Sequence, residues 1–350
     1  MGGDAGGRRP LRKREYDEDD VRVRPGKGSR PRTRIRPAHD DAVEGFVVAV
    51  DRGRYTSLVE SPDRGNRKKR TAARRLVVAM KARELGRKGI VVGDRVAIVG
   101  DVSGAPDALA RIVRVEPRTS MLRRSADDTD DTDGIERPVV ANADQLVIVT
   151  ALAEPPPRPR MIDRILVAAF DADIEPLLCL TKSDLADAGE LLALYRPLGV
   201  PHVVVHKGGE LDELRAHLDG RVSVLVGHSG VGKSTLVNAL VPDANRAVSH
   251  VNAVTGRGRH TSTSAVALEL PGGGWIIDTP GVRSFGLAHI STETVLASFP
   301  DLIEGTVHCP KGCTHLGPDC ALDAWVTEGN ADPARLASLR RLLTTRDPEE

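Results

Sequence analysis

The sequence predicts a multidomain α/β protein with an N-terminal β-barrel, a central domain of alternating strands and helices, and a C-terminal helical domain that binds zinc. Three observations lead to this prediction. Short β-rich runs lie between residues 42 and 120, a glycine-rich loop interrupts a strand–helix alternation at residues 227–235, and three cysteines crowd beside a histidine after residue 308. A chain of 350 residues is long enough for two or three domains with their own cores.

The composition indicates a mostly globular protein of the reducing cytoplasm. Charged residues make up 28% and hydrophobic residues 40% of the chain, which is the balance of a folded protein. Aromatic residues make up only 3%, so stacking of bases on aromatic platforms is not expected as the main mode of recognition. There is no apolar run of about 18 residues and no signal peptide is expected, while the clustered cysteines suggest metal rather than disulfides.

Residues 1–41 are rich in Arg, Gly and Pro, and we predict that they are disordered. The first 37 residues carry twelve Lys/Arg and six Asp/Glu, a net charge of +6. Two interpretations are equally open: a flexible arm that adds affinity for a phosphate backbone, or a solubilising tail.

Five β-rich runs predict a small closed barrel of the OB-fold type at residues 42–120. The runs span residues 44–50, 55–59, 76–80, 94–99 and 110–115, with Gly/Asp turns between them. Residues 64–88 also hold eleven Lys/Arg, against Asp63 and Glu84. A basic region on a small barrel favours RNA binding, and a solvated charged loop is the alternative.

The central domain is predicted at residues 138–288, after an acidic run at residues 127–133 that we interpret as a solvated linker without metal. Strands are predicted at 146–149, 175–180 and 202–205, and helices at 160–170 and 185–195. This alternation is typical of a doubly wound sheet, which binds its ligands at the carboxyl ends of the strands.

The glycine-rich loop has the pattern G-x-x-x-x-G-K-S, which cradles phosphates. It follows an apolar strand at residues 222–226 and leads into a predicted helix, so its backbone N–H groups and the helix dipole converge on one anion. Lys233 is expected to reach the β- and γ-phosphates and Ser234 to bind Mg²⁺. The predicted phosphate-binding residues are Gly227, His228, Ser229, Gly230, Val231, Gly232, Lys233, Ser234 and Thr235.

A second motif, Thr181-Lys182-Ser183-Asp184, follows the strand at 175–180. Asp184 can accept two hydrogen bonds from guanine, one from the ring N–H and one from the exocyclic amine, and adenine offers neither of these donors in that position. The aliphatic part of the Lys182 side chain can pack over the face of the base. On its own the motif also fits a helix N-cap. Residues 206–209 could touch the other edge of the base, or form a plain turn.

A third motif, Asp278-Thr279-Pro280-Gly281, follows a predicted strand and reads D-x-x-G. Asp278 can hold Mg²⁺ through water and the Gly281 N–H can sense the γ-phosphate. Between this motif and the phosphate loop lies the polar stretch 256–263, in which a hydroxyl of Thr261 or Thr263 could complete the Mg²⁺ shell. Such a loop would order around the γ-phosphate and relax after hydrolysis.

The order of these motifs resembles the ribosome small-subunit-dependent GTPase A family, the circularly permuted YjeQ/RsgA type. The base motif precedes the phosphate loop, and the resemblance covers residues 42–324, including the stretches 118–124, 141–145 and 281–286. It implies a circularly permuted P-loop GTPase that acts with GTP/GDP and Mg²⁺ in late maturation of the small ribosomal subunit. The subunit and its rRNA would be its partners, and the subunit would stimulate its activity. The alternatives are an RNA-binding assembly factor that uses GTP only as an affinity switch, or a P-loop kinase or ATPase.

Two positions depart from common GTPase patterns. Thr181 replaces the usual Asn of the base motif, and Val282 stands where Ras-like enzymes carry the glutamine that orients water. The resemblance implies that a switch-loop histidine, here His260, takes part in catalysis beside Lys233. A role in contacting RNA or solvent is the alternative for His260.

Residues 289–350 predict a small helical domain around a zinc ion, with helices at 292–299 and 333–343. Cys309, Cys313, His315 and Cys320 form a Cys₃His set, which has no open position and is therefore expected to be structural. His308 is a possible substitute for His315, and four unmetallated residues are the alternative. We expect this domain to offer a further RNA or ribosome contact, and the whole chain to be a monomer.

Overall fold

The computed structural model describes residues 39–61, 73–86, 89–124, 137–242, 244, 265–279, 287 and 290–345. Contacts divide the chain into residues 1–40 and residues 41–350, and the architecture below concerns the second of these units. The predicted disordered arm lies almost entirely outside the described residues, as do the acidic run at 127–133 and much of the basic region at 64–88.

Five strands form the closed N-terminal barrel, each at a position that the sequence predicts. Their order is β1-β2-β3-β5-β4, and β4 pairs back with β1 to close the sheet. Strands β3 and β5 are parallel, and the other neighbours are antiparallel. The interior is filled by aliphatic side chains such as Val47, Val96, Ile98 and Ile112. The strands are β1 (Val43–Asp51), β2 (Arg54–Ser61), β3 (Ala73–Lys81), β4 (Arg95–Gly100) and β5 (Ala110–Val115).

Within the described residues, the central domain contributes six strands to the same eleven-stranded sheet, in the order β10-β9-β8-β11-β13-β12. These strands are parallel except β12, which runs antiparallel to β13. The strands are β8 (Gln145–Ala151), β9 (Glu175–Thr181), β10 (His202–Val204), β11 (Val222–Val226), β12 (Val266–Glu269) and β13 (Trp275–Asp278). The helices that accompany them are α1 (Pro159–Asp171), α2 (Gly189–Tyr195), α3 (Asp212–Leu218) and α4 (Lys233–Leu240).

The helix predicted at 185–195 is too long at its start. Residues 182–185 form a turn instead, in which the N–H of Leu185 donates to the Lys182 carbonyl at 3.0 Å. The Asp187 carboxylate then accepts from the N–H of Gly189 at 2.7 Å, and α2 begins there. The base motif therefore sits on a turn rather than on a helix.

A compact joint connects the barrel to the central sheet. Strands β6 (Met121–Arg124) and β7 (Arg137–Ala141) form an antiparallel pair beside it. Arg118 Nε donates to the buried carboxylate of Asp94 at 2.7 Å, and Asn142 Nδ2 donates to the Gly93 carbonyl at 2.9 Å. A Cβ on Gly93 would lie 2.0 Å from the carbonyl oxygen of Ala141, so this position accepts only glycine. The stretches 118–124 and 141–145, which the sequence marks only by resemblance, thus build the joint.

The barrel also extends the central sheet directly. Ala49 of β1 pairs with Val266 of β12, and the rings of Phe46 and Trp275 lie 4.9 Å apart across the boundary. Arg74 joins Glu269 of β12 at 2.5 Å while it also holds Glu60 of the barrel at 2.8 Å.

The C-terminal helices pack against α1 of the central domain. They are α5 (Thr292–Leu296), α6 (Pro300–Ile303), α7 (Ala321–Thr327) and α8 (Pro333–Thr345), close to the two predicted helical stretches. Arg341 of α8 donates to the buried Asp163 of α1 at 3.0 Å and lies 5.2 Å from the centre of the Tyr195 ring. Across the ranges described, no helix combines the length and the apolar character needed to cross a membrane.

Candidate nucleotide site and metal centre

The glycine-rich loop connects the end of β11 to the start of α4, as the sequence predicts. Gly227, Gly230 and Gly232 have φ angles of +150°, +84° and +97°, a region that side chains with a Cβ rarely adopt. A Cβ on Gly227 would also lie 2.2 Å from the carbonyl oxygen of Val149 on the neighbouring strand. Glycine is therefore required both by the turn and by close packing on β8.

Lys233, the first residue of α4, folds back over the loop. Its Nζ donates to the carbonyl of Gly227 and to that of His228, the latter at 2.9 Å. Burial lowers the pKa of Lys233, and the nearby Asp278 carboxylate opposes that shift. The cation is thus held at the mouth of the loop, while the side chains of Ser234 and Thr235 are exposed beside it on the first turn of α4.

The base motif and the phosphate loop share one pocket of about 320 Å³. Thr181, Lys182 and Asp184 line one wall, residues 206–209 line another, and Gly232 and Thr235 close the side toward α4. The N–H of Ser183 donates to the Val205 carbonyl at 3.3 Å, which joins the base motif to the strand that leads into residues 206–209. Segments some fifty residues apart in the chain therefore meet in a single cavity.

Thr181 makes the most direct connection between the two motifs. Its hydroxyl, in a side chain that is 5% exposed, donates to the carbonyl of Val231 in the phosphate loop at 2.6 Å. The same oxygen lies 3.3 Å from the carbonyl of Thr150 at the end of β8. The residue that departs from the usual Asn thus contacts the protein backbone, a role that its sequence motif does not reveal.

Asp278 lies at the end of β13, opposite Leu225 of β11 in the register of the sheet. Its Oδ1 is buried and has no hydrogen-bond partner within the described part of the chain. Burial raises the pKa of Asp278, and the charge of Lys233 and the N–H of Thr279 oppose that rise. A buried carboxylate oxygen without a partner, next to a phosphate loop, fits the coordination of a divalent cation.

His228 has a fixed orientation in the loop. Its Nδ1 hydrogen-bonds to the Ser229 carbonyl at 2.8 Å, which requires the proton on Nδ1. Burial lowers the pKa of His228, the hydrogen bond to the Ser229 carbonyl opposes that shift, and the nearby cations of Arg158, Lys233 and Lys182 lower the pKa further.

One wall of the site was not predicted from the sequence. The loop after β8 lies against both motifs, because the carbonyl of Glu154 accepts from Lys182 Nζ and Pro155 lies 3.5 Å from the position of a Cβ on Gly230. The available signal was a proline-rich stretch directly after a buried strand, at the edge where doubly wound sheets bind ligands.

Several predicted site residues lie outside the described residues. They are His260, Thr261, Thr263, Gly281 and Val282, so their predicted roles stay predictions.

The C-terminal domain brings together Cys309, Cys313, His315 and Cys320, whose ligand atoms all lie within 4.8 Å of one another. Cys309 Sγ and Cys320 Sγ are 3.8 Å apart, and each is 3.6 Å from His315 Nδ1. Tetrahedral zinc with bonds of about 2.3 Å to sulfur and 2.0–2.1 Å to nitrogen requires separations of about 3.8 and 3.6 Å. These three separations fit zinc, Cys313 lies within 4.8 Å of the same atoms, and His315 rather than His308 completes the set.

The carbonyl of His315 is itself held by a cation from α8. Arg340 Nε donates to that carbonyl at 3.0 Å, and its terminal nitrogens pair with both carboxylate oxygens of Asp323 at 2.8 and 2.7 Å. Burial also lowers the pKa of His315, and this shift favours the neutral imidazole that a metal ligand requires.

The permuted sheet and the cavity shared by the two motifs define a circularly permuted P-loop GTPase. A family described as RsgA GTPase has a model that matches residues 115–288. The chain is 43% identical over 266 residues to the small ribosomal subunit biogenesis GTPase RsgA of Pseudomonas aeruginosa strain LESB58, covering 73% of this chain and 76% of that protein. The protein of the same name from Azotobacter vinelandii is 42% identical, with coverages of 73% and 75%. The chain belongs to the RsgA GTPase family.

Solved structures agree on the fold. YjeQ from Thermotoga maritima superimposes with a TM-score of 0.61 at 26% identity, covering 87% of this chain and 98% of that one. YloQ, described as a circularly permuted GTPase, gives a TM-score of 0.60 at 23% identity, with coverages of 89% and 99%, and bears on the fold alone.

Proposed function

We propose that this protein hydrolyses GTP to GDP and phosphate during maturation of the small ribosomal subunit, and that the subunit accelerates the reaction. The observation that carries the proposal is the pocket in which Asp184 and the turn Gly232–Thr235 meet. The relatives named above as small ribosomal subunit biogenesis GTPases support the choice of partner.

Guanine is recognised at the Thr181–Asp184 end of the pocket. The exposed Asp184 carboxylate accepts hydrogen bonds from the ring N–H and the exocyclic amine, while the stem of Lys182 covers one face of the base. Each charged hydrogen bond that is left unmatched costs about 1.5–3 kcal/mol, so two give a preference over adenine of about 10²–10⁴. Residues 206–209 enclose the opposite side.

The triphosphate lies along the glycine loop at the N-terminus of α4. Lys233, now held by the carbonyls of Gly227 and His228, is positioned to pair with the β- and γ-phosphates. Ser234 and Asp278 would hold Mg²⁺, together with Thr261 or Thr263, and Gly281 would meet the γ-phosphate. A bound Mg²⁺ neutralises the charge that develops on the phosphate oxygens.

Hydrolysis without the subunit is expected to be slow. Val282 cannot orient the attacking water, and we assign that task to His260 of the switch loop. A partner that orders the switch and supplies charge can add about 10³–10⁵ in rate, as activating proteins do for other GTPases.

The flanking domains supply the contacts to the subunit. We assign residues 42–120 to an OB-fold barrel that binds rRNA, residues 138–288 to the GTPase domain, and residues 289–350 to a zinc-stabilised contact domain. The closed barrel and the four clustered ligands support this division, and a structural zinc ion would hold the loop Cys309–Cys320 in shape. We expect a cytoplasmic monomer with a flexible basic arm at residues 1–41.

The decisive experiment measures hydrolysis of GTP and of ATP, each with and without purified small subunits. Faster GTP hydrolysis in the presence of subunits, with ATP inert, supports the proposal. Hydrolysis that subunits leave unchanged would favour an assembly factor for which GTP only sets affinity. Strong competition by ATP would favour an ATPase or kinase.

A further inference from the structure

Thr279 directly follows Asp278, the last residue of β13. Its side chain is 4% exposed, and its hydroxyl donates to the carbonyl of Leu225 at 3.0 Å. Leu225 belongs to β11, the strand that leads two residues later into Gly227 of the phosphate loop. The hydroxyl therefore ties the D-x-x-G strand to the phosphate-loop strand at the level of the nucleotide site.

The same residue also contacts the carboxylate that faces the phosphate loop. The main-chain N–H of Thr279 hydrogen-bonds to Asp278 and opposes the rise in pKa that burial causes. Among the described residues, the Thr279 hydroxyl is therefore a contact that fixes the chain to β11 directly after Asp278.

Two buried threonines thus hold the phosphate loop and the strand before it. Thr181 at the end of β9 donates to Val231 of the loop, and Thr279, which directly follows β13 on the other side of β11, donates to Leu225 of β11. Both donate to main-chain carbonyls, so each fixes the backbone rather than a side chain. An error of about 1 Å in such a site lowers catalysis strongly, so fixed backbones on both sides serve the geometry of the reaction.

We propose that Thr279 is a positioning residue that holds Asp278 at the distance from the phosphate loop at which both bind one Mg²⁺–GTP complex. The inference rests on the proposed assignment of Asp278 to Mg²⁺. Thr279 acts through its hydroxyl bond to Leu225 and does not contact the nucleotide. Its loss leaves the base pocket intact and selectively weakens the part of GTP binding that depends on Mg²⁺.

The test compares Thr279→Val, which keeps the shape and removes the hydroxyl, with Thr279→Ser, which keeps the hydroxyl. Binding of a fluorescent GTP analogue to the full-length chain is titrated with Mg²⁺ and repeated in EDTA. Thr279→Val is expected to raise the half-saturating Mg²⁺ concentration by about 3- to 10-fold, which corresponds to one net hydrogen bond. Thr279→Ser is expected to stay within about 2-fold of the unaltered chain, and affinity in EDTA should change in neither variant.

Thr327→Val is the matched control, because Thr327 is an exposed threonine of α7 whose hydroxyl also donates to a main-chain carbonyl, that of Asp323. If Thr279→Val does not fold, Thr279→Ala and Thr279→Ser differ by the same hydroxyl and replace the comparison. Equal Mg²⁺ dependence in the hydroxyl-free and hydroxyl-bearing variants would overturn the inference. Asp278→Ala distinguishes a failure of the Thr279 inference from a failure of the Mg²⁺ assignment on which it rests. If Asp278→Ala leaves the Mg²⁺ dependence of GTP binding unchanged, the assignment of Asp278 to Mg²⁺ fails, and with it the proposed function of the D-x-x-G motif.

Discussion

The hydroxyl of Thr181 donates to the carbonyl of Val231 at 2.6 Å and so joins the end of β9 to the glycine-rich loop. A Cβ on Gly232 would lie 3.8 Å from the same hydroxyl, so Gly232 also lies close to Thr181. The proposed base site and the proposed phosphate site are therefore connected through the backbone, although the two motifs come from separate parts of the chain.

Removing this hydroxyl should weaken nucleotide binding. Thr181→Val keeps the volume but leaves the Val231 carbonyl without its donor, which costs about 1–2 kcal/mol and corresponds to about 5- to 30-fold in the GTP dissociation constant. Thr181→Ser retains the donor and serves as the control. Equal affinities of the two variants in a fluorescence titration would show that the contact does not stabilise the site.

The phosphate-loop cation and hydroxyl should be essential for turnover. Lys233→Ala removes the charge proposed to pair with the phosphates and Ser234→Ala removes the proposed Mg²⁺ ligand, so each is expected to abolish GTP hydrolysis measured as phosphate release. Lys311→Ala, which removes an exposed lysine of the C-terminal domain, should leave hydrolysis in the absence of subunits unchanged. Turnover that survives in the Lys233 or Ser234 variant would refute the phosphate-loop assignment.

Gly227 should tolerate no side chain. Gly227→Ala places a methyl 2.2 Å from a backbone oxygen of β8 and should destabilise the fold by about 2–4 kcal/mol, as measured by urea unfolding. Gly317→Ala is the control, because nothing lies within 4 Å of its added methyl, and it should change stability by less than about 0.5 kcal/mol. A stable Gly227→Ala protein would contradict the close packing on Val149.

The proposed zinc site predicts that His315 is required for zinc binding and that the nearby His308 is not. His315→Ala and Cys309→Ala remove ligands and should lose zinc by elemental analysis, whereas His308→Ala should retain about one zinc per chain. Chelation should also unfold the loop Cys309–Cys320, seen as faster proteolysis in this segment. Retention of zinc by His315→Ala, with loss in His308→Ala, would reverse the ligand assignment.

Local patterns predicted the features that depend on residues close in sequence. The barrel strands follow from short β-rich runs separated by Gly/Asp turns, and the glycine loop follows from a strand, a turn and a helix start in immediate succession. The spacing of three thiolates and one imidazole likewise indicated the metal cluster. The structure adds only that His315 and not His308 lies in it.

Local sequence patterns did not predict the features that depend on contacts between distant parts of the chain. Strand β12 has only four residues and exists because β13 and β1 pair with its two edges. The start of α2 is delayed to Gly189 by a turn and by the Asp187 carboxylate, whereas the sequence pattern favours an earlier start. The hydroxyl contacts of Thr181 and Thr279 with other strands are tertiary, and nothing in their own motifs encodes them.

The central claim is that the permuted pocket recognises guanine through Asp184. Asp184→Asn replaces one carboxylate oxygen with an amide that donates, so it should pair with the C2 carbonyl of xanthine and no longer with the amine of guanine. The most direct measurement compares the affinities of this variant for GTP and for xanthosine triphosphate. We expect that GTP affinity falls by about 10²-fold or more while xanthosine triphosphate binds more tightly than it does to the unaltered chain. Unchanged preference for GTP would contradict it.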